Sequence, residues 1–244
     1  MRPHPWSWFV KRSLSAPLAA LAAAVALTAT PALAAVVTFF GADDPKGSLT
    51  NSSFAEKSFQ ATLGVYGTET FEALAPFTPD PPLAFGATGI TATSDVDYVA
   101  PFPPLAVSGS NLILDQGPGK AGDPGIPDVF TFNQPITAFG SYFAQAGDGA
   151  PNTIILLLQN TQLGTNKTVT IGTFGPNLGF DNTFYFGVTD TDPFNRVSMI
   201  ESNDFDGVLL DNVTAGQVPE PSALALLTAG LGALVVVRIR RKRA

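Results

Sequence analysis

Residues 153–159 read TIILLLQ and residues 168–174 read TVTIGTF, two runs with different patterns and one message. In the second, Val169 and Ile171 fall on one side of an extended chain and Thr168 and Thr170 on the other. That period of two is the signature of a strand with one buried face. The first is a continuous apolar run of strand length, which fits a central strand covered on both faces. Working outward, similar short runs rich in Val, Ile, Thr, Phe and Tyr occur at 36–40, 68–74, 89–93, 111–114, 129–132, 136–144, 183–188, 196–201 and 208–213. Gly, Pro, Asn and Asp punctuate them, as turns require. Between residues 35 and 217 no window shows a sustained helical period with caps. This texture predicts an all-β fold, an antiparallel two-sheet sandwich of the jelly-roll kind, with a single closed barrel as the alternative.

The chain has 19 phenylalanines. Phe130, Phe132, Phe139, Phe143, Phe174, Phe180, Phe184, Phe186, Phe194 and Phe205 lie in or beside the predicted strands and are assigned to the core. Exposed aromatic platforms are sought instead at Phe77, Tyr98 and Phe102. Residues 76–104 hold Pro76, Pro79, Pro81, Pro82, Pro101, Pro103 and Pro104. Proline cannot donate to a ladder, so this stretch is predicted to form loops at one end of the sandwich and no central strand.

Both ends of the chain break the pattern. Arg2, Lys11 and Arg12 precede an Ala/Leu-rich stretch at 14–29, followed by Ala32-Leu33-Ala34. A cationic segment, an apolar core and small residues at the cleavage positions describe a secretory signal peptide over 1–34, cut by signal peptidase before Ala35. At the other end Val218-Pro219-Glu220-Pro221 leads into an uncharged stretch at 222–237, predicted to be a single hydrophobic helix. That stretch has 16 residues, at or below the roughly 17–25 of a spanning helix. It stops at Arg238, Arg240, Arg241, Lys242 and Arg243, a basic tail over 238–243 expected to stay cytoplasmic.

Removing both ends leaves residues 35–217, enough for one domain with a sizeable core. That segment keeps five basic residues, Lys46, Lys57, Lys120, Lys167 and Arg196, against 19 acidic ones, a net charge of −14. Such a surface repels nucleic acid and anionic lipid, which excludes both as partners of the domain itself. There is no cysteine, and the one histidine, His4, lies in the leader. Ser-His-Asp and Cys-His nucleophiles are therefore excluded, as are the usual zinc, copper and haem ligand sets. Carboxylate chemistry remains: glycoside hydrolysis by paired acids, or calcium binding.

Asp204, Asp206 and Asp211, with Asn212, form the densest acidic cluster. Two readings are open for it, a structural calcium site or a plain turn closed by side-chain to backbone bonds. Asp190 and Asp192, and Asp123 and Asp128, are read as turn formers. A hydrolase would have to draw its acid and base from Glu69, Glu72, Glu201 or these aspartates, and the sequence offers no facing pair. No catalytic residue and no cofactor other than that calcium is therefore assigned.

The order of Val218-Pro219-Glu220-Pro221, apolar segment and basic tail resembles the PEP-CTERM sorting signal. The runs VFTFNQPITAFGSYFA (129–144), FYFGVTDTDPFNRVSMIES (184–202) and FDGVLLDNV (205–213), with TETFEAL (68–74) before them, are similar to a pattern found in exported PEP-CTERM proteins. The resemblance implies a galactose-binding-like or lectin-like β-sandwich. It implies transient residence in the inner membrane of a Gram-negative-type bacterium and cleavage near residues 219–221 by an exosortase-type membrane peptidase. It further implies display at the cell surface or in the extracellular matrix, in association with exopolysaccharide. The expected function is a non-catalytic matrix component, structural or glycan-binding. Two alternatives stand beside it, a carboxylate-dependent glycan hydrolase or lyase, and a domain tethered permanently by its tail.

Overall fold

The computed structural model describes residues 35–43, 48–96, 98–103, 105–115, 127–146, 151–175, 182–202 and 208–219. The signal peptide, Ala32, Ala34, Asp204, Asp206, Glu220, Pro221, the apolar segment and the basic tail lie outside these residues. Among the described residues no helix is long and apolar enough to cross a membrane.

Among the described residues, eleven strands hydrogen-bond into one continuous antiparallel sheet. They are β1 Val37–Asp43, β2 Val65–Glu69, β3 Pro82–Ala84, β4 Thr91–Asp95, β5 Tyr98–Pro101, β6 Asn111–Asp115, β7 Asp128–Ala144, β8 Asn152–Asn160, β9 Thr165–Phe174, β10 Thr183–Glu201 and β11 Val208–Gln217. The sheet is continuous because β7 and β10 are long enough to serve both layers. Their register shifts between Thr189 and Arg196 of β10, and pairing resumes on either side of the irregularity. Strands that change layer through bulges make the corners of such sandwiches. Residues 128–131 of β7 and 196–201 of β10 pair with β4 and β8, and β9 and β3 extend this β8 layer at its two edges. Residues 138–144 of β7 and 183–189 of β10 pair with β11 and β1, and β2, β6 and β5 complete this β11 layer.

The apolar sets of both layers pool into one cluster. Ile154, Leu156, Leu158, Phe130, Val197 and Met199 come from the β8 layer, and Phe143, Phe184, Phe186, Val188, Leu210 and Val213 from the β11 layer. Stacked rings tie the layers together: Phe184 of β10 lies 4.5 Å from Phe174 of β9 and 5.1 Å from Phe143 of β7. The assignment of the strand phenylalanines to the core holds for those described. In TIILLLQ, Ile154, Leu156 and Leu158 are buried while Ile155 and Leu157 are half-buried, so this strand is fully covered on one face, not on both.

A helix, α1 Thr50–Gln60, stands where the sequence predicted none. Its buried stripe is Ser52, Ala55 and Phe59, too short and too polar to register as a helical period. Its cap comes from outside. The carboxylate of Asp43, at the end of β1, accepts from Asn51 N and Ser52 N at 2.8 Å each, and from the Ser52 hydroxyl. Two of the orphan amides of the first turn are thereby satisfied. α1 covers the outer face of the β11 layer. Phe59 is fully buried over Gly140 and Gly187; a Cβ on Gly187 would fall 2.7 Å from its ring.

The predicted strand at 68–74 ends early. Phe71 takes φ 63°, its amide bound by Glu69 Oε1 at 2.8 Å, and the chain turns there. The proline-rich stretch does contribute strands, β3, β4 and β5. Pro82 begins β3 and Pro101 ends β5, the positions where a strand tolerates a missing donor.

Candidate functional site

The β11 layer has two well-defined ends. One register row runs Tyr66, Gly216, Ala138, Thr189, Val37. The opposite row runs Tyr98, Leu114, Leu209, Ala144, Thr183, Asp43. Along β1 the rows are six residues apart, about 20 Å at the rise of a strand.

The start of the Val218-Pro219-Glu220-Pro221 motif emerges at the first row, with no linker after β11. Val218 N donates to Thr137 Oγ1 at 2.7 Å, Gln217 Nε2 donates to Pro135 O at 2.6 Å, and Gly64 N donates to Gln217 O at 2.9 Å. The Val218 side chain packs against the cluster of Ala55, Phe59, Ala138, Tyr142 and Tyr185. Pro219 is exposed and passes over Gly64, where a Cβ would stand 3.1 Å from its Cγ. Ala35, the residue expected after leader cleavage, is exposed at the same end, two positions before β1.

The opposite row carries an aromatic pair. Phe77 and Tyr98 have ring centroids 5.8 Å apart and tilted by 39°. Phe77 is 68% exposed, yet its backbone is fixed: Phe77 N donates to Val99 O at 2.7 Å, and Val99 N to Thr78 O at 3.1 Å. It also sits at φ 65°, between Phe71 at 63° and Asp80 at 44°. A left-handed conformation costs a non-glycine residue on the order of 1 kcal/mol or more, and such residues gather at ligand clamps. Phe102, also exposed, lies just beyond β5 with its amide bonded to Ser110 O. Of the three aromatics singled out in the sequence, the structure brings Phe77 and Tyr98 into contact.

The acidic residues serve as fasteners. Asp211, 3% exposed, sits at the register shift of β11. Its Oδ2 accepts from Val107 N at 2.7 Å and Ser108 N at 2.9 Å, and its Oδ1 from Asn212 N at 2.7 Å. Burial raises its pKa above the ordinary 3.8, and those bonds offset only part of the rise. Asp190 and Asp192 do more than form a turn. They hold Lys167 of β9 at 2.7 and 2.8 Å, across the corner where β10 changes layer. Burial works against the Lys167 charge, but the two carboxylates outweigh it and raise its pKa. A shallow depression at this corner is lined by both of them, with Lys167 and Asn160. Glu69 binds Phe71 N and Ala84 N, Glu72 binds Ser110 N and Asn111 N, and Glu201 binds Asn152 Nδ2. Among the described residues no three acidic side chains gather into a metal-binding group.

No curated protein matches the chain. Among solved structures, the K2 cleaved adhesin domain of Lys-gingipain is similar at 18% identity, over 63% of this chain and 100% of that one, with a TM-score of 0.40. The CBM22-1 xylan-binding domain from Paenibacillus barcinonensis is similar at 12% identity, over 62% and 92%, with a TM-score of 0.36. The C-terminal family 22 carbohydrate binding module of Clostridium thermocellum Xyn10B is similar at 19% identity, over 65% and 94%, also at 0.36. A family model, the PEP-CTERM protein-sorting motif, matches residues 217–242. The chain carries the PEP-CTERM protein-sorting motif, beginning at Gln217, the last residue of β11.

Proposed function

We propose that this chain is an exported, non-catalytic surface or extracellular-matrix protein. Residues 1–34 are its leader, 35–217 its β-sandwich domain and 218–244 a sorting signal removed by an exosortase-type membrane peptidase. The observation that carries this reading is the junction at Gln217. There the sorting motif takes over from β11 without a spacer. Chemistry at residues 218–221 is thus done to the protein and not by it. Val218 N and the Val218 side chain are engaged by the domain, and Pro219 is the first residue of the motif that is exposed to a peptidase.

Once released, the domain meets exopolysaccharide. The Phe77–Tyr98 pair supports a glycan-contacting role, since the exposed Phe77 ring, braced by the half-buried Tyr98, can stack on the C–H face of a sugar. With 19 acids to five bases in residues 35–217, the preferred partner is neutral.

Cell fractionation tests the sorting half. The native protein is expected in the released or surface fraction, and a Glu220→Ala variant in the inner membrane with its tail intact. Equal release of both refutes the role of the motif. A glycan array with the released protein tests the other half. Binding to neutral glycans that Phe77→Ala weakens supports the reading, and binding unaffected by Phe77→Ala or Tyr98→Ala refutes the platform.

A further inference from the structure

Lys167 is wedged between two carboxylates at the corner where β10 changes layer. Its Nζ lies 2.8 Å from Oδ1 and 2.7 Å from Oδ2 of Asp190, and 2.8 Å from Oδ2 of Asp192. A nitrogen equally close to both oxygens of a carboxylate faces the carbon between them, here at roughly 3 Å, the separation of a near-attack pair.

Contacts that do not involve the lysine side chain bring the two strands to this place. Lys167 pairs with Leu158 in the β8–β9 ladder. Asn160 Nδ2 donates to Pro193 O and Thr161 N to Asn195 Oδ1, both at 2.9 Å, which pins the end of β8 to the bend of β10. The Asp190 side chain is 2% exposed, and the buried Leu158 and Phe194 line the same depression. Opposite charges there lose hydration, and a neutral group in their place avoids that cost.

The remaining parts of an acyl transfer are also present. Asp192 N donates to Asp190 Oδ1 at 3.0 Å, where a backbone N–H stabilises negative charge gathering on that oxygen. The Asp192 carboxylate touches Nζ and is placed to take its proton. Asp192 is exposed, so water has a way out.

We propose that Lys167 and Asp190 condense to an isopeptide bond, with Asp192 as the proton carrier. One ammonium proton passes to Asp190 Oδ2, leaving a neutral amine and a neutral carboxyl group. Nζ attacks Cγ, and the carbonyl electron pair moves onto Oδ1 under the Asp192 N–H. Asp192 takes a second proton from the nitrogen and returns it to the Oδ2 hydroxyl, which leaves as water when the carbonyl reforms. The Nζ–Cγ bond forms, the Cγ–Oδ2 bond breaks, and the products are one amide and one water, with no oxidant or activating group. Between separate ions in water this condensation is unfavourable, but folding has already aligned the two groups and stripped their hydration. The carboxylates favour the ammonium form, so the amine arises only within the cluster and the bond forms slowly, once, after folding. The link ties β9, an edge strand, to β10 and restricts the unfolded chain as a disulfide does. With no cysteine, the chain has no disulfide to make such a tie.

The intact mass of the purified full chain tests this without any substitution. The native protein is expected to be one water lighter than its own termini require, and a chymotryptic digest to yield a branched peptide joining residues 167 and 190. Lys167→Arg keeps the charge but supplies no free amine, and is expected at full mass. Lys57→Arg, at an exposed lysine, is expected to lose water as the native chain does. Asp192→Asn keeps the backbone donor and removes the base, and mass followed after synthesis is expected to show water loss slowed about a hundredfold or more. A native chain at full mass, meaning an ion pair only, overturns the proposal, and so does a water loss that persists in Lys167→Arg. Water loss at the native rate in Asp192→Asn overturns the part assigned to Asp192.

Discussion

Replacing Phe184 with alanine tests whether the two layers share one core. Phe184 is 2% exposed and lies in three ring pairs: stacked on Phe174 at 4.5 Å and on Phe143 at 5.1 Å, and tilted against Phe40 at 5.7 Å. Phe174 belongs to the β8 layer, so the side chain bridges the sandwich. Truncating a buried phenylalanine costs about 3–5 kcal/mol through lost transfer energy and the cavity left behind. Three lost ring pairs place this site at the upper part of that range. In a domain of this size the expected fall in melting temperature is roughly 10 °C or more. Thermal melts measure that fall and urea unfolding the free-energy loss, both followed by circular dichroism, with Phe54→Ala as the control. Phe54 is 73% exposed and its truncation is expected to stay within about 0.5 kcal/mol. A loss below about 1 kcal/mol for Phe184→Ala would refute a core shared by both layers.

Three further outcomes follow from single contacts. Asp43→Asn weakens the cap of α1 and is expected to cost about 1–2 kcal/mol. Burial alone would raise the Asp43 pKa, but bonds from Ser52 and Asn51 bring it below 3.8, so its stabilisation is full above that value and lost as pH falls through the lowered pKa; acid melts should show a shallower acid limb in the variant, and identical limbs would contradict the cap. Asp211 behaves with the opposite sign, since burial raises its pKa: its protonated form favours folding, a contribution present below 3.8 and lost as pH rises through the raised value. Asp211→Asn is expected to remove that pH dependence while costing about 1–3 kcal/mol, because the new amide faces the Val107 and Ser108 N–H groups. Gly187→Ala drives a methyl to 2.7 Å from the Phe59 ring and is expected to cost about 1–3 kcal/mol; an unchanged urea midpoint would show that α1 does not pack there.

The strands were legible because their signal is local. Alternation in TVTIGTF and the apolar run TIILLLQ mark β9 and β8 without help from the rest of the chain. The corners were not. Residues 129–132 and 136–144 read as two strands, as do 183–188 and 196–201. Each pair is one strand that bends between layers, a property of pairing partners far away in sequence. α1 escaped for the same reason. Its cap is Asp43, outside the helix, and the feature that buries it is the pair of glycines at 140 and 187. Asp190 and Asp192 carry turn-like neighbours, and nothing local reveals that Lys167 will arrive between them from β9. The tail signal was fully legible, because motif, apolar run and basic stop are ordered along one dimension.

The intact mass of the protein recovered from outside the cell tests the central claim most directly. The account predicts a species that begins at Ala35 and ends within residues 219–221. A released protein whose mass still includes Arg238, Arg240, Arg241, Lys242 and Arg243 would contradict it.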